Sequence, residues 1–288
     1  PLFQKYLNRV LPDGDLQKIL SEFLGWVFTR NGQLKLERVL LLFGDGENGK
    51  SVFFDVVKAL IGPENFSTVP LNHLTDDTGY YRATIANKLL NYASEIDNKV
   101  QSKTFKALAS GEPVTARPIY RDPVELTDYA KLIFNCNILP SEIEHTHGFF
   151  RRFLIIPFNV KISKEEKDVH LAEKIIKSEL PGILNWALQG LGRLMENERF
   201  TEAEASKAVL QTFKKESNTV ALFMEEMELE SSNVEYHPLK SIYSEYKAFA
   251  QESGFRPVNV TNFRKRAEGL GFEVPKMKHG RMVYAKRP

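Results

Sequence analysis

Residues 44 to 51 read Gly-Asp-Gly-Glu-Asn-Gly-Lys-Ser. They follow an apolar run, Val39-Leu40-Leu41-Leu42-Phe43, and precede a helix-like stretch, Val52 to Leu60. Gly-x4-Gly-Lys-Ser between a strand and a helix is the P-loop in the context it requires. The glycines let successive backbone N–H groups turn toward one point and cradle phosphates at a helix N-terminus. Gly44, Gly46, Glu47, Asn48 and Gly49 would form that cradle. Lys50 would reach the β- and γ-phosphates, and the Ser51 hydroxyl would ligate Mg²⁺. A P-loop alone does not separate kinases, GTPases and motors, so the use made of the nucleotide has to be read downstream.

Composition narrows the setting. A chain of 288 residues holds one large or two modest domains. A hydrophobic content of 42% and a charged content of 26% are those of an ordinary globular protein. The net charge of +2 does not announce nucleic acid, so any such partner must show in local patches. The single cysteine, Cys136, excludes an intrachain disulfide framework and a cysteine-rich zinc site, and it fits a reducing compartment. No apolar run approaches the length of a membrane span, and no signal peptide is evident. A cytoplasmic location is expected, in the host cell if the chain is viral or from a phage. Because the chain starts at Pro1 rather than Met, a further N-terminal domain is expected in a longer protein.

Four segments follow from periodicity. Residues 1–38 carry apolar positions at helical spacing on both sides of Pro12-Asp13-Gly14, which predicts two helices forming a cap. Residues 39–160 alternate short apolar runs with helical stretches, which predicts an α/β core with a largely parallel, buried sheet. Its strands are expected at Val39–Phe43, Lys88–Ser94, Leu132–Asn135 and Phe153–Pro157. Residues 161–217 read as a helical extension, with helices over Glu165–Ser178, Ile183–Asn197 and Ala203–Lys215. Residues 218–288 run helix, helix, turn, basic helix, then two short strands around Lys278-His279-Gly280, a winged-helix pattern.

The chemistry lies in the core segment. Leu89-Leu90-Asn91-Tyr92-Ala93-Ser94-Glu95-Ile96-Asp97 is an apolar strand ending in carboxylates. A carboxylate at the end of a strand beside the P-loop can hold Mg²⁺ and orient the attacking water. Glu95 is the first choice for that role and Asp97 the second. Further on come Lys106 and Gly111-Glu112, then Ala116-Arg117-Pro118-Ile119-Tyr120-Arg121. A strand ending in Asn135-Cys136-Asn137-Ile138-Leu139-Pro140 follows, and then Phe150-Arg151-Arg152 just before another strand.

In order and spacing these elements resemble the superfamily 3 helicases, in particular the poxvirus and phage/plasmid primase-helicase family. The likeness runs from about residue 16 to 160 and continues more weakly into the winged helix. It implies an AAA+-like P-loop core and an ATP-dependent ring motor that moves along single-stranded DNA at a fork. It also implies a homo-oligomer, typically a hexamer, with a primase or polymerase domain upstream. Asn137 matches the polar residue that senses the γ-phosphate, with Asn135 as its neighbour. Arg152, or alternatively Arg151, matches the finger that reaches the ATP of the adjacent subunit. Lys106 and the hairpin from Val114 to Glu125 match the segment lining the central pore, so Arg117, Tyr120 and Arg121 would face a single strand. The second motif departs from the family in one respect. Ser94 stands where many members have an acidic residue, so the metal and base roles cannot be divided between Glu95 and Asp97.

Arg264 and Lys265 on the basic helix of the winged segment are candidate DNA contacts. His145-x-His147 lacks a third ligand nearby in sequence and reads as a surface turn. Two other functional classes stay open at this stage. One is a small-molecule P-loop kinase or NTPase. The other is a DNA-binding initiator that uses ATP only to assemble.

Overall fold

The computed structural model describes residues 1–94, 96, 100–140 and 143–288. Two helices open the chain, α1 (Leu2–Val10) and α2 (Gly14–Val27). In α1 the buried side chains are Phe3, Tyr6, Leu7 and Val10, one face of a 3.6-residue repeat. Asp13 separates the two helices and caps α2, its carboxylate accepting from the Asp15 N–H at 2.8 Å.

The α/β layer then runs β1 (Val39–Phe43), α3 (Lys50–Ile61), β2 (Phe66–Ser67), α4 (Leu71–Thr75), β3 (Leu90–Ala93) and α5 (Ser102–Ser110). An antiparallel hairpin of β4 (Val114–Ala116) and β5 (Val124–Leu126) follows. The layer closes with β6 (Lys131–Cys136), α6 (His147–Phe150) and β7 (Phe153–Pro157). Five strands form one parallel sheet in the order β2-β3-β6-β1-β7. Parallel strands covered on both faces read as continuous apolar runs, which is why Val39–Phe43 and Phe153–Pro157 were visible in the sequence. β2 spans two residues and carries no periodicity to read.

Helix α7 (Leu171–Asn197) and helix α8 (Glu204–Glu216) come next. The expected break between Ser178 and Ile183 is absent, because α7 continues through Pro181. Proline removes one i→i−4 hydrogen bond, but Ile175, Ile183, Ala187 and Leu194 on both sides of it are buried in the same core. Packing of that apolar face holds the helix together. The helix also starts later than expected: Lys164–Lys167 forms a turn, and Asp168 accepts from the His170 N–H at 3.0 Å and from Lys174 Nζ at 2.6 Å. α7 lies directly against α2. A Cβ at Gly25 would strike the backbone of Ala187 and Leu191, and one at Gly190 would strike the backbone of Ser21 and Glu22. Beside this crossing Glu22 is buried and accepts from Thr201 N (2.7 Å), Thr201 Oγ1 (2.6 Å) and Arg193 Nε (3.3 Å).

Residues 1–211 make up one compact unit and residues 212–288 a second. The second contains α9 (Thr219–Glu226), β8 (Glu230–Pro238), α10 (Leu239–Glu252), α11 (Val260–Gly269), β9 (Lys276–Met277) and β10 (Gly280–Lys286). Its antiparallel sheet has the order β8-β10-β9. Phe223, Ile242, Tyr246, Phe263 and Val283 lie at the centre of its own core. β8 is not legible in the sequence, because Glu-Ser-Ser-Asn-Val-Glu-Tyr-His-Pro is mostly exposed and shows no apolar alternation. No helix among the described residues is long and apolar enough to cross a membrane.

Candidate nucleotide-binding site

β1 is held between β6 and β7, with Phe43 opposite Cys136 on one side and Pro157 on the other. The loop that leaves it is therefore anchored on both flanks. Gly44 has φ +147°, and a Cβ there would meet the Phe158 carbonyl and the Asn48 amide. Gly49, at φ +89°, is the left-handed residue from which α3 starts, and a Cβ there would lie 2.7 Å from Val10 Cγ1. Asn48 is buried and ties the loop shut, donating to the carbonyls of Asp45 and Phe158, the latter at 3.0 Å. The Tyr6 hydroxyl donates to the Gly49 carbonyl at 2.9 Å, so α1 braces the start of α3.

Lys50 is the first residue of α3. Its ammonium is folded over the loop, donating to the Gly44 carbonyl and, at 3.1 Å, to the Asp45 carbonyl. Burial pushes its pKa below the ordinary lysine value, while Cys136 and Asp45 pull the other way. The Cys136 thiol is pushed up to about 12 by burial, with Lys50 pulling it down. Ser51, Asp45, Gly46 and Glu47 are exposed around the mouth of the loop, and a Cβ at Gly46 would meet open space. This combination of a helix N-terminus, an ammonium bound to loop carbonyls and an exposed hydroxyl fits a polyphosphate with its divalent cation.

The carboxylate strand is not the immediate neighbour of the P-loop strand. β6 lies between them, with Ala93 opposite Phe134 and Phe134 opposite Leu41. All three strands run toward the same edge. Glu95 and Asp97 lie outside the described residues. On β6, Asn135 Oδ1 accepts from the Tyr92 hydroxyl at 2.8 Å, which ties β6 to β3. Asn137 lies one residue past the end of β6 and is exposed.

Arg151 and Arg152 precede β7 at the opposite edge of the sheet, where Val39 pairs with Phe153 and the Val39 N–H donates to the Arg152 carbonyl at 2.8 Å. The five-residue length of β1 puts them ~16 Å from the P-loop of their own chain. The two differ sharply. The Arg152 side chain is 10% exposed. It donates to Ser110 Oγ at 2.9 and 3.3 Å and to the Gly148 carbonyl, and it pairs with Glu37 at 3.3 Å. The Arg151 side chain is 45% exposed and pairs with Glu37. Arg152, the first choice in sequence for an arm reaching a neighbour, is thus engaged inside its own chain, and Arg151 is the arginine that faces solvent.

The β4–β5 hairpin projects an exposed tip. Tyr120 is fully exposed at φ +59°, and Arg117 and Arg121 are exposed beside it. Together with Tyr80 and Tyr81 these residues line an open groove of about 1070 Å³. The Arg117 guanidinium lies 5.8 Å from the centre of the Tyr80 ring, and Tyr81 stacks on His73 at 4.5 Å. Arg82 fastens this segment to the hairpin by donating to the Thr115 carbonyl at 2.5 Å. Tyr80 and Tyr81 carry no signal in the sequence, since they approach the hairpin from more than thirty positions away and form no local motif. Lys106 does not join the groove; it pairs with Glu144 at 2.8 Å, and its hydrogen bond helps to draw the Glu144 carboxyl below the usual range against the opposing effect of burial. In the second unit, Lys265 is exposed on α11, whereas Arg264 is partly buried and pairs with Glu268 at 3.7 Å. His147 begins α6 and His145 packs edge-on against Phe150, and no metal-binding cluster of His, Cys, Asp or Glu occurs among the described residues.

Residues 42–152 match a protein family of unknown function, DUF5906. Over 190 residues the chain is 25% identical to a protein of Acanthamoeba polyphaga mimivirus named "Putative helicase L207/L206", covering 63% of this chain and 19% of that protein. It is 21% identical over 277 residues to "Putative helicase 121R" of Invertebrate iridescent virus 3, covering 84% of this chain and 29% of that protein. The chain therefore spans less than a third of the length of either viral relative. Among solved structures, the apo C-terminal region of NrS-1 (305–718) superposes with a TM-score of 0.55 at 16% identity, over 99% of this chain and 74% of that one. A second form of the same region gives a TM-score of 0.53 at 16% identity, over 99% and 74%. These structures share the fold: a mixed α/β chain with a parallel central sheet.

Proposed function

We propose that the chain is the motor part of an ATP-dependent DNA helicase of the superfamily 3 type, working as a ring on single-stranded DNA at a fork. The observation that carries this reading is the placement of the P-loop and the arginine pair at opposite edges of one sheet. Hydrolysis of a γ-phosphate needs cationic stabilisation of the charge that develops on it. An arginine ~16 Å from its own P-loop cannot supply that, but it can supply it to the next copy of the chain. The names of the viral relatives point the same way.

In this reading Gly44, Gly46, Glu47, Asn48 and Gly49 hold the triphosphate of ATP. Lys50 leaves the Gly44 and Asp45 carbonyls to bind it. Ser51 and Glu95 would hold Mg²⁺, which supplies charge neutralisation on the phosphates when bound. Glu95 or Asp97 orients the attacking water, and Asn137 hydrogen-bonds the γ-phosphate or that water. Arg151 reaches the neighbouring site, and Arg152 fixes the segment that carries it. Arg117, Tyr120 and Arg121, with Tyr80 and Tyr81 alongside, track one strand by phosphate contact and base stacking. The second unit, ordered helix–strand–helix–helix–strand–strand, acts in this reading as a winged helix, with Lys265 as a DNA contact. Six copies per ring, a primase or polymerase domain upstream and an intracellular location complete the proposal.

Mixing tests it. Lys50→Ala should lose turnover, and Arg151→Ala should bind nucleotide but not hydrolyse it. Mixed rings contain interfaces with an intact P-loop facing an intact arginine, so combining the two variants should restore part of the single-strand-stimulated ATPase. Absence of rescue at every ratio would remove the arginine in trans, and retained turnover in Lys50→Ala would remove the nucleotide site.

A further inference from the structure

The second unit carries a cationic groove that the nucleotide site and the hairpin do not use. One wall is α10 from Leu239 to Lys247 and the other is the β9–β10 hairpin, with Val260 of α11 also lining the space. The space between them is open and measures about 610 Å³. Lys240 and Lys247 stand on α10, His279 on the β9–β10 turn and Arg281 at the start of β10; all four are exposed. No aspartate or glutamate lines the groove. In a chain whose net charge is only +2, three permanent cations facing one space without an acid form a local patch. Glu245, between the lysines in sequence, is turned to another partner, Arg287, at 2.8 Å. Leu239, Tyr243 and Val260 contribute apolar lining. Two of the cations are already placed: Lys247 lies 5.5 Å from the centre of the Tyr243 ring, and Arg281 donates to the Val274 carbonyl at 3.2 Å.

We infer that this groove seats the phosphate backbone of DNA, at a site separate from the exposed Lys265 on α11. The inference rests on the reading of the chain as a DNA-handling protein and adds a second place of contact. Lys240 and Lys247 are seven residues apart, so they rise ~10.5 Å along α10. That is about three 3.4 Å steps of one DNA strand, so each lysine meets its own phosphate. The apolar lining offers contact to deoxyribose carbons. Arg281 closes the opposite wall with a fork-shaped donor suited to a phosphate.

The test uses the full chain and a fluorescein-labelled forked duplex, followed by anisotropy between 50 and 200 mM salt. The double variant Lys240→Gln/Lys247→Gln should bind about tenfold more weakly, and the slope of log affinity against log salt should become shallower by about 1.8, two phosphate contacts' worth. Lys240→Arg/Lys247→Arg should keep wild-type affinity. ATP turnover without DNA should be unchanged in both. Wild-type affinity and slope in the Gln double variant and in Arg281→Ala, alongside weakened binding by Arg117→Ala/Arg121→Ala, would overturn the groove while leaving the helicase reading in place. Failure of the unaltered chain to bind the fork at any salt would overturn both.

Discussion

Replacing each arginine of the Arg151-Arg152 pair should separate a holding role from a reaching one. Truncating Arg152 to alanine removes the donors to Ser110 Oγ and the Gly148 carbonyl, and one of the two arginines on Glu37. A polar group left unsatisfied in a buried setting costs about 1–3 kcal/mol. Ser110 and Gly148 are only partly buried and Glu37 keeps Arg151, so the sum for Arg152→Ala is about 3 kcal/mol. Arg151 is half exposed and makes a surface ion pair, so Arg151→Ala should cost at most about 1 kcal/mol. Both tryptophans, Trp26 and Trp186, lie in the first unit, so intrinsic fluorescence reports its unfolding by itself. In urea the Arg152→Ala midpoint should fall by about 1 M and the Arg151→Ala midpoint should barely move. Turnover should show the reverse bias. Arg151→Ala should lose about a thousandfold or more in kcat, the scale of a missing arginine finger, with its fold intact. An Arg152→Ala protein with the wild-type midpoint and no turnover, beside an Arg151→Ala protein that hydrolyses normally, would refute the assignment.

Other expectations follow from single positions. Tyr120→Ala should weaken binding of a single-stranded oligonucleotide about fivefold to a hundredfold, the value of one stacked base, and an unchanged anisotropy titration would take Tyr120 off the strand's path. Gly190→Ala puts a methyl group into the backbone of Ser21 and Glu22, so α2 and α7 must part; overpacking of about 1–3 kcal/mol should lower the melting temperature of the first unit by about 5 °C. Burial lowers the Lys131 pKa to about 8, its ammonium bonded to Asn31 at 2.5 Å and lying 4.9 Å from the centre of the Trp26 ring. Between pH 8 and the ordinary lysine value the unfolded chain binds the extra proton, so this group adds stability as pH rises. The stability of the wild type minus that of Lys131→Met should therefore grow by about 3 kcal/mol over that window in paired urea titrations, and a flat difference would show that Lys131 is not desolvated. Asn137→Ala should slow hydrolysis by about tenfold or more with little change in the urea midpoint, and normal turnover would exclude it as the sensor.

What could be read in the sequence was local. The P-loop sits in eight consecutive residues, and β1 and β7 are apolar runs long enough to stand out. The tip of the β4–β5 hairpin is marked by Pro118 and Pro123 on either side of its exposed residues. What escaped depends on residues distant in sequence. Pro181 looks like a helix end until the core on both sides of it is known. Arg152 looks like a free arm until Ser110 and Glu37 are found around it. The brace from Tyr6 to Gly49 links positions 43 residues apart, and the polar strand β8 exists because β10 pairs with it. None of these pairings leaves a periodic trace in its own segment.

The strand order gives those local pieces their relation. With β6 between β1 and β3, the strand that carries Asn135 and leads to Asn137 touches both the P-loop strand and the carboxylate strand. Tyr92 is fully buried and donates its hydroxyl to Asn135 Oδ1, so that asparagine ties the ends of β6 and β3 together. The same bond fixes the end of β6 from which Asn137 emerges. A residue that senses a phosphate is useful only if its own position does not drift. In the proposed reading the asparagine inside the strand supplies the rigidity and the exposed one just beyond it is the sensor. At the other edge Arg152 is held by Ser110, Gly148 and Glu37, while its more exposed neighbour Arg151 has Glu37 alone, so the proposed reading makes Arg152 the anchor and Arg151 the arm.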